Sequence, residues 1–417
     1  MRNKKMSLSH WFRSLVYCAV LLCLSACSKS PEVLVPAGLL EVPYAIQSIA
    51  WHPNGKLLAV GYFLRDEVEV WDIENKKSLF VIPSRRRPGN SSGQEALFSA
   101  DGKYVVAQDF VDTKNGEPKF PRIYDDPAEL PAQQDKTRYI LARVWDLEQR
   151  KEIAQLAGPG SRLYGGSADG FCQSSALPSL VVVHRSSVVA TYEIATGKFA
   201  GEVNARNPFA DKPDQHLGYW RMSCHPTRPE VALEGAQFFK RATIFGFPEN
   251  SGTTPIVIVD MEHKGVKKVL FNPALLKGIA YTADGSKLVS FGASPTRVWD
   301  TNNGFALVGE MANPPRMDWV SKQFFPVDEL NPPQDAPRGI AGDLSAVPGS
   351  NLMIGLGSAL HFWDTTQLRI VATAPAPRET LRIAMHAPEG TLAVAELNLV
   401  HFYRFNPAAL PPKVNEK

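Results

Sequence analysis

The feature that most constrains this chain is a unit that returns along nearly all of it. Residues 46–82 set the pattern: Ile46-Gln47-Ser48-Ile49-Ala50-Trp51, a His52-Pro53-Asn54-Gly55 turn, Leu57-Leu58-Ala59-Val60-Gly61, a loop, Val68-Glu69-Val70-Trp71-Asp72, a turn, and Ser78-Leu79-Phe80-Val81-Ile82. Short β-branched runs separated by Gly, Pro, Asn and Asp predict four strands joined by turns. The cadence returns at 94–156, 169–203, 218–271, 277–311, 338–373 and 380–405. The equivalent third-strand positions are Trp71, Trp145, Tyr192, Val259, Trp299, Trp363 and Tyr403; at 71, 145, 299 and 363 a Trp-Asp pair stands there. A sheet of four short strands cannot bury both faces alone, so the copies must stack on one another.

These units resemble WD40 repeats, with the Trp-Asp pairs as the specific part of the likeness. The resemblance implies an all-β fold: a seven-bladed β-propeller of four-stranded antiparallel blades, spanning residues 34–405, with a C-terminal tail at 406–417. The tryptophans are then packing residues, each expected to lie against the next blade. The seventh copy has only three strands before Asn406-Pro407 and a Pro-rich tail that cannot join a ladder. Residues 34–43 look like the outer strand of a blade and resemble Ile370-Val371-Ala372-Thr373-Ala374-Pro375. They are expected to complete the seventh blade and close the ring.

Several copies exceed the ~40 residues of a bare repeat. The surplus lies at 109–137, 237–254 and 312–337, with smaller pieces at 84–93 and 205–217. Each falls between strands two and three of a blade or between strand four and the next blade. Strands alternate in direction, so all of these segments leave one face of the disc, the elaborated face. The opposite, plain face carries short turns. Long loops on a rigid scaffold are where binding is usually placed. The candidate partner-binding residues are therefore Arg85, Arg86 and Arg87 in one such segment, and Trp319, Phe324 and Phe325 in another.

The amino terminus reads separately. Arg2, Lys4, Lys5 and Arg13 precede an uncharged apolar run over 14–24, the layout of an export signal and too short for an easy membrane span. Leu24-Ser25-Ala26-Cys27 resembles the lipobox of bacterial lipoproteins. That resemblance implies a signal peptide at 1–26, lipidation at Cys27 and a tether at 27–33. Ser28 after the cysteine implies sorting to the outer membrane, facing the periplasm. The chain has 45 basic and 42 acidic residues. Removing the four basic residues of the signal leaves 41 against 42, a net charge of −1, so no nucleic-acid footprint is expected. Of five cysteines, only Cys172 and Cys224 remain after the signal and the lipid site. Their spacing matches no metal motif; two buried thiols are expected, with a disulfide, which an oxidising compartment would allow, as the alternative.

No His-Glu-x-x-His, P-loop, dinucleotide fingerprint or EF-hand loop occurs in the sequence. Gly165-Gly166-Ser167-Ala168-Asp169-Gly170 precedes a strand and reads as a blade-to-blade turn. Asp125, Asp126 and Asp135 fit no calcium loop. His52, His225 and His386 occupy one equivalent turn position in three copies, which makes them turn residues. The inner strands show no evident cluster of carboxylates or histidines. The expectation is a non-enzymatic interaction platform with no catalytic residues, no metal and no cofactor, tethered to the membrane and binding an envelope protein. The rival is a propeller hydrolase or lactonase with its site at the central channel.

Overall fold

The computed structural model describes residues 32–411 apart from 64, 66, 84–94, 113–137, 160–169, 186–187, 206–214, 240–253, 273–275, 293–294, 312–342, 358, 378–379 and 387. The chain opens with β1 (Leu34–Glu41). Blade 1 is β2 (Ile46–Trp51), β3 (Leu57–Tyr62), β4 (Val68–Asp72) and β5 (Lys77–Ile82). Blade 2 is β6 (Ala96–Phe98), β7 (Tyr104–Asp112), β8 (Arg138–Asp146) and β9 (Lys151–Pro159), and blade 3 is β10 (Gly170–Cys172), β11 (Leu180–Arg185), β12 (Val188–Glu193) and β13 (Phe199–Asn204). Blade 4 is β14 (Gln215–Cys224), β15 (Glu230–Phe239), β16 (Thr254–Asp260) and β17 (Gly265–Asn272). Blade 5 is β18 (Leu276–Tyr281), β19 (Lys287–Gly292), β20 (Thr296–Asp300) and β21 (Ala306–Met311), and blade 6 is β22 (Leu344–Ala346), β23 (Leu352–Leu356), β24 (Leu360–Asp364) and β25 (Arg369–Ala374). Blade 7 takes β26 (Thr380–His386), β27 (Thr391–Glu396) and β28 (Leu399–Phe405), with β1 as its outer strand.

Each blade is antiparallel and pairs its strands in chain order. The first strands touch in a closed cycle, β2 to β6, β10, β14, β18, β22, β26 and back to β2. The fold is a seven-bladed propeller. Closure is by hydrogen bonds: β1 pairs with β28 from Leu34 opposite Phe405 to Glu41 opposite Leu399. Backbone bonds from Val42 N to Asn398 O and from Asn406 N to Val33 O, each 2.9 Å, extend the seam at both ends. Beyond it a 3-10 turn at Pro407–Ala409 brings Ala409 and Leu410 onto the core between blades 6 and 7.

Among the described residues the core forms seven clusters, one at each blade-to-blade interface. Strand alternation produces this division. In β11, Val181 and Val183 face blade 2, while Val182 faces blade 4. The same alternation decides where the tryptophans go and reverses the expected direction. Val70 faces blade 2, so its neighbour Trp71 packs back against blade 7. Trp145 joins the blade 1–2 cluster, Trp299 the blade 4–5 cluster and Trp363 the blade 5–6 cluster. Each tryptophan thus lies on the preceding blade. Trp363 is fully buried, its ring 5.0 Å from that of Phe291.

The aspartate of each pair closes the turn between strands three and four. Asp72 accepts from Asn75 N, Asp146 from Gln149 N, and Asp364 from Thr366 N and Gln367 N. Four residues after each, Lys76, Arg150 and Leu368 take positive φ, which the turn needs to enter the outer strand. Trp-Asp is therefore a packing residue followed by a turn former. Among the described residues no helix is long and apolar enough to cross a membrane.

The pairing of Cys172 and Cys224 corrects the expectation of separate thiols. Cys172 ends β10 and Cys224 ends β14, so the inner strands of blades 3 and 4 bring their Cα atoms to 5.6 Å and a disulfide joins them. Sequence spacing cannot reveal this, because it is the ring that makes those two strand ends neighbours.

Candidate functional site

The anchor and partner candidates Cys27, Arg85, Arg86, Arg87, Trp319, Phe324 and Phe325 lie outside the described residues, as do Asp125, Asp126 and Asp135. Their segments can still be placed by where the chain leaves and returns. Residues 84–94, 160–169 and 312–342 run from a fourth strand to the next first strand, and 113–137 and 240–253 from a second strand to a third. All leave the same face. Parts of the expected loops continue the ladders: β7 pairs with β8 out to Asp112 opposite Tyr139, and β14 with β15 out to Gln215 opposite Phe239.

On the plain face the three histidines are clasps between blades. His52 Nε2 donates to Gly102 O at 2.8 Å, His225 Nε2 to Gly285 O at 2.9 Å, and His386 Nε2 to Pro53 O at 3.1 Å. Each reaches the turn of the following blade. In blade 3, whose equivalent residue is Ser174, the hydroxyl donates to His225 O at 2.6 Å. Burial, with Arg228 adding repulsion, lowers His225 to about 4, so it works as a neutral ring.

The site that matters most for chemistry is one layer of the central channel. Counting back four residues from the equivalent plain-face positions His52, Ser99, Ser174, His225, Thr282, Val347 and His386 gives Ser48, Glu95, Gly170, Arg221, Gly278, Asp343 and Arg382 in blades 1 to 7. The ladders place Ser48, Gly170, Arg221, Gly278 and Arg382 opposite Gly61, His184, Glu234, Phe291 and Ala395 on the second strands, and backbone bonds from Gln108 N to Glu95 O and from Leu356 N to Asp343 O do the same for the other two. Four charged residues from blades 2, 4, 6 and 7 share the layer. They are two arginines and two carboxylates, one from each of four blades. Glu95, Gly170 and Asp343 are also where segments 84–94, 160–169 and 312–342 end, so the layer lies at the elaborated-face mouth.

The side chains lean toward the following blade. A Cβ on Gly170 would come 3.7 Å from Glu95 Oε2, which places the Glu95 carboxylate over blade 3. Ala232 of β15 belongs to the blade 4–5 cluster, so Glu234, two residues on, faces blade 5, and its cross-strand partner Arg221 shares that face. Gly278 has no side chain to intervene. Arg221 therefore reaches past blade 5 to Asp343 of blade 6, Nη1 to Oδ1 4.0 Å. Asp343 Oδ2 accepts from Ile383 N of blade 7 at 3.0 Å, and Arg382 Nε donates to Gln47 O of blade 1 at 2.9 Å.

Behind the layer stand Gln108, His184 and Glu234 in three successive blades, all buried. Gln108 Oε1 accepts from Glu95 N at 3.0 Å. Glu234 is 4 % exposed, and its Oε2 has no hydrogen-bond partner among the described residues. Burial raises its pKa to about 7 against the opposing pull of Arg221. A carboxyl in that position can hold or release a proton near neutrality. Among the described residues no group of three His, Cys, Asp or Glu side chains is placed to hold one metal ion. Compared with models of known protein families and with curated proteins, the sequence matches none.

Proposed function

We propose that this protein is an exported, lipid-anchored interaction platform of the bacterial envelope, held to the outer membrane through Cys27 and binding a protein partner at its elaborated face without catalysing a reaction. The observation that carries the reading is the opposition of two ends of the molecule. β1 begins beside Phe405, whose N–H bonds to Gly390 O in a plain-face turn, so the chain enters the propeller on the plain face. The long segments and the charged channel layer belong to the other face. A tether of residues 28–33 spans at most ~20 Å, which keeps the plain face toward the lipid. The Cys172–Cys224 disulfide suits an oxidising compartment and so favours export.

The WD40 likeness supports a binding role as an analogy of architecture, since propellers host many functions. Replacing Cys27 by Ser tests the anchor. Palmitate labelling should vanish and unprocessed precursor should accumulate; sustained labelling contradicts the assignment. Glu234 favours a second reading, a hydrolase at the channel, because its pKa of about 7 suits an acid–base group. Turnover of an ester or lactone panel that disappears in Glu234→Gln would replace the platform with the enzyme.

A further inference from the structure

Ten large hydrophobic side chains are exposed among the described residues, and eight of them lie on the outer strands β1, β5, β13, β17 and β21, where blade edges meet water. The other two are loop residues, Phe63 at 44 % and Leu397 at 46 % exposure. Phe63 follows β3 of blade 1 and Leu397 follows β27 of blade 7, so each lies between a second and a third strand, on the elaborated face. They also meet at one place. Phe63 N donates to Ala45 O at 2.8 Å, and the neighbouring Ile46 N donates to Leu397 O at 2.6 Å. Residues 42–45 carry the chain across the seam from blade 7 to blade 1, and main-chain bonds at the end of that crossing hold both loops.

Leu397 is an unusual choice for its position. It is the first residue of the hairpin turn that links Glu396 to Leu399, and its φ is 46°. A positive φ there is ordinarily left to Gly, the residue this chain uses at Gly55, Gly102 and Gly285 in other turns. Other non-Gly residues with positive φ either end in an exposed charge, as Lys76 and Arg150 do, or gain packing: Phe305 is buried, and Leu368 lies on the blade 5–6 core. Leu397 gains no such burial, so its backbone strain is kept for a side chain held in solvent.

Tyr44 lies in the same crossing, its ring 5.4 Å from that of the buried Tyr62 and 4.1 Å from the Arg65 guanidinium. The surrounding charges favour a cation. Glu41 ends β1 and Glu67 precedes β4, both toward the outer strands from Phe63 and Leu397, and neither forms an ion pair among the described residues. Against them stands Arg65, laid on Tyr44. Glu69 is buried beneath and accepts from Tyr62 Oη. Two surface carboxylates against one guanidinium leave an excess of negative charge.

We propose that this end of the blade 7–1 seam is a docking site for a partner-protein segment that presents a bulky apolar side chain beside a lysine or arginine. Phe63, Leu397 and Tyr44 take the apolar side chain, and Glu41 and Glu67 take the cation. Loops already fixed by main-chain bonds lower the ordering cost of binding, and the apolar contact keeps water from the ion pair, which strengthens it. The site rests on the platform reading and adds to it the place and chemistry of the contact. A second copy of this chain fits less well, because anchors on the plain face leave neighbouring elaborated faces pointing the same way.

Calorimetric titration of the full mature chain would use acetyl-Leu-Phe-Arg-Lys amide, the charge-reversed acetyl-Leu-Phe-Glu-Glu amide, and acetyl-Ser-Gly-Arg-Lys amide. The first should bind, and each of the others ~10-fold or more weakly, the loss expected for one buried apolar side chain or one charge-assisted contact. Leu397→Gly removes the side chain and relieves the positive φ, so it should weaken the first peptide ~5-fold or more while raising the melting temperature. Glu41→Gln combined with Glu67→Gln should abolish the preference for the basic peptide over the acidic one and leave melting unchanged. Equal binding of all three peptides, no binding of the first at millimolar concentration, full affinity in Leu397→Gly, or a lower melting temperature for that variant would overturn the proposal. So would a dimer in sedimentation that Leu397→Gly dissolves, since the patch would then belong to a second copy. Protein adducts from crosslinkers at Arg86 or Trp319 would still support the platform in any of those cases, and their absence beside normal peptide binding would count against the platform and not against the site.

Discussion

At the scale of the residue, buried ionisable groups give this protein a stability profile with two limbs. Glu234 has a folded pKa above that of an unfolded carboxyl, so the stability it permits is present below the ordinary carboxylate range and lost as pH rises through about 7. Glu234→Gln is expected to raise the melting temperature at pH 8 and to do little at pH 5, a difference of at most ~3 kcal/mol; an equal shift at both pH values would remove the buried carboxylate from the account. His225 and His361 act in the other direction. Burial is the leading cause in both and lowers each to about 4, so their contribution is present above the ordinary histidine range and lost as pH falls toward 4. Packing sets a second residue-scale test. A Cβ on Gly355 would sit 1.7 Å from the Trp363 ring, which is fully buried. Gly355→Ala should destabilise by ~1–3 kcal/mol in urea titration, the cost of overpacking, and an unchanged midpoint would mean that the ring moves aside. Of the candidate site, little was legible at this scale. Glu95, Arg221, Asp343 and Arg382 sit far apart in sequence with no motif between them. Four inner strands also carry an extra residue just before the layer, at Gln47, Trp220, Lys277 and Leu381, so alignment from the strand start slips by one. Counting from the turn would have found the layer.

At the scale of the element, the pattern of strands was readable because each unit repeats the same local rules. Pro53-Asn54-Gly55 and Ala283-Asp284-Gly285 mark turns in which Gly55 and Gly285 take positive φ. Alternation of β-branched residues gives two buried faces, as a blade stacked on both sides requires. The ring closure was legible for a related reason: a seventh copy short of one strand and a spare outer-strand sequence at 34–43 have one consistent solution. What sequence did not show was direction and adjacency. The tryptophans pack backward, because alternation relative to Val70 is set by the register of the whole blade. The disulfide needs two strand ends that only the closed ring makes neighbours. Deleting 34–43 should expose the β28 edge, which invites aggregation, and remove Leu34 and Leu40 from two blade interfaces. A large fall in melting temperature is expected, whereas deletion of 28–33 should leave melting nearly unchanged. Matching thermograms for the two deletions would mean that the seam between β1 and β28 carries no stability.

At the scale of the whole molecule, the account is one of sidedness. Chain entry and the histidine clasps fall on the plain face, while long segments and the charged channel layer fall on the other. The lipid at Cys27 would hold the first toward the bilayer at ~0.8 kcal/mol per buried methylene and present the second to the periplasm. The measurement that tests this most directly is site-specific photo-crosslinking in intact envelopes. A crosslinkable side chain would be placed at Arg86 or Trp319 on the elaborated side, and at Asn54 or Asn302 in plain-face turns. A discrete protein adduct from the elaborated positions, absent from the plain-face ones, is the expected result. Adducts confined to Asn54 and Asn302 would contradict it and place the partner on the face assigned here to the membrane.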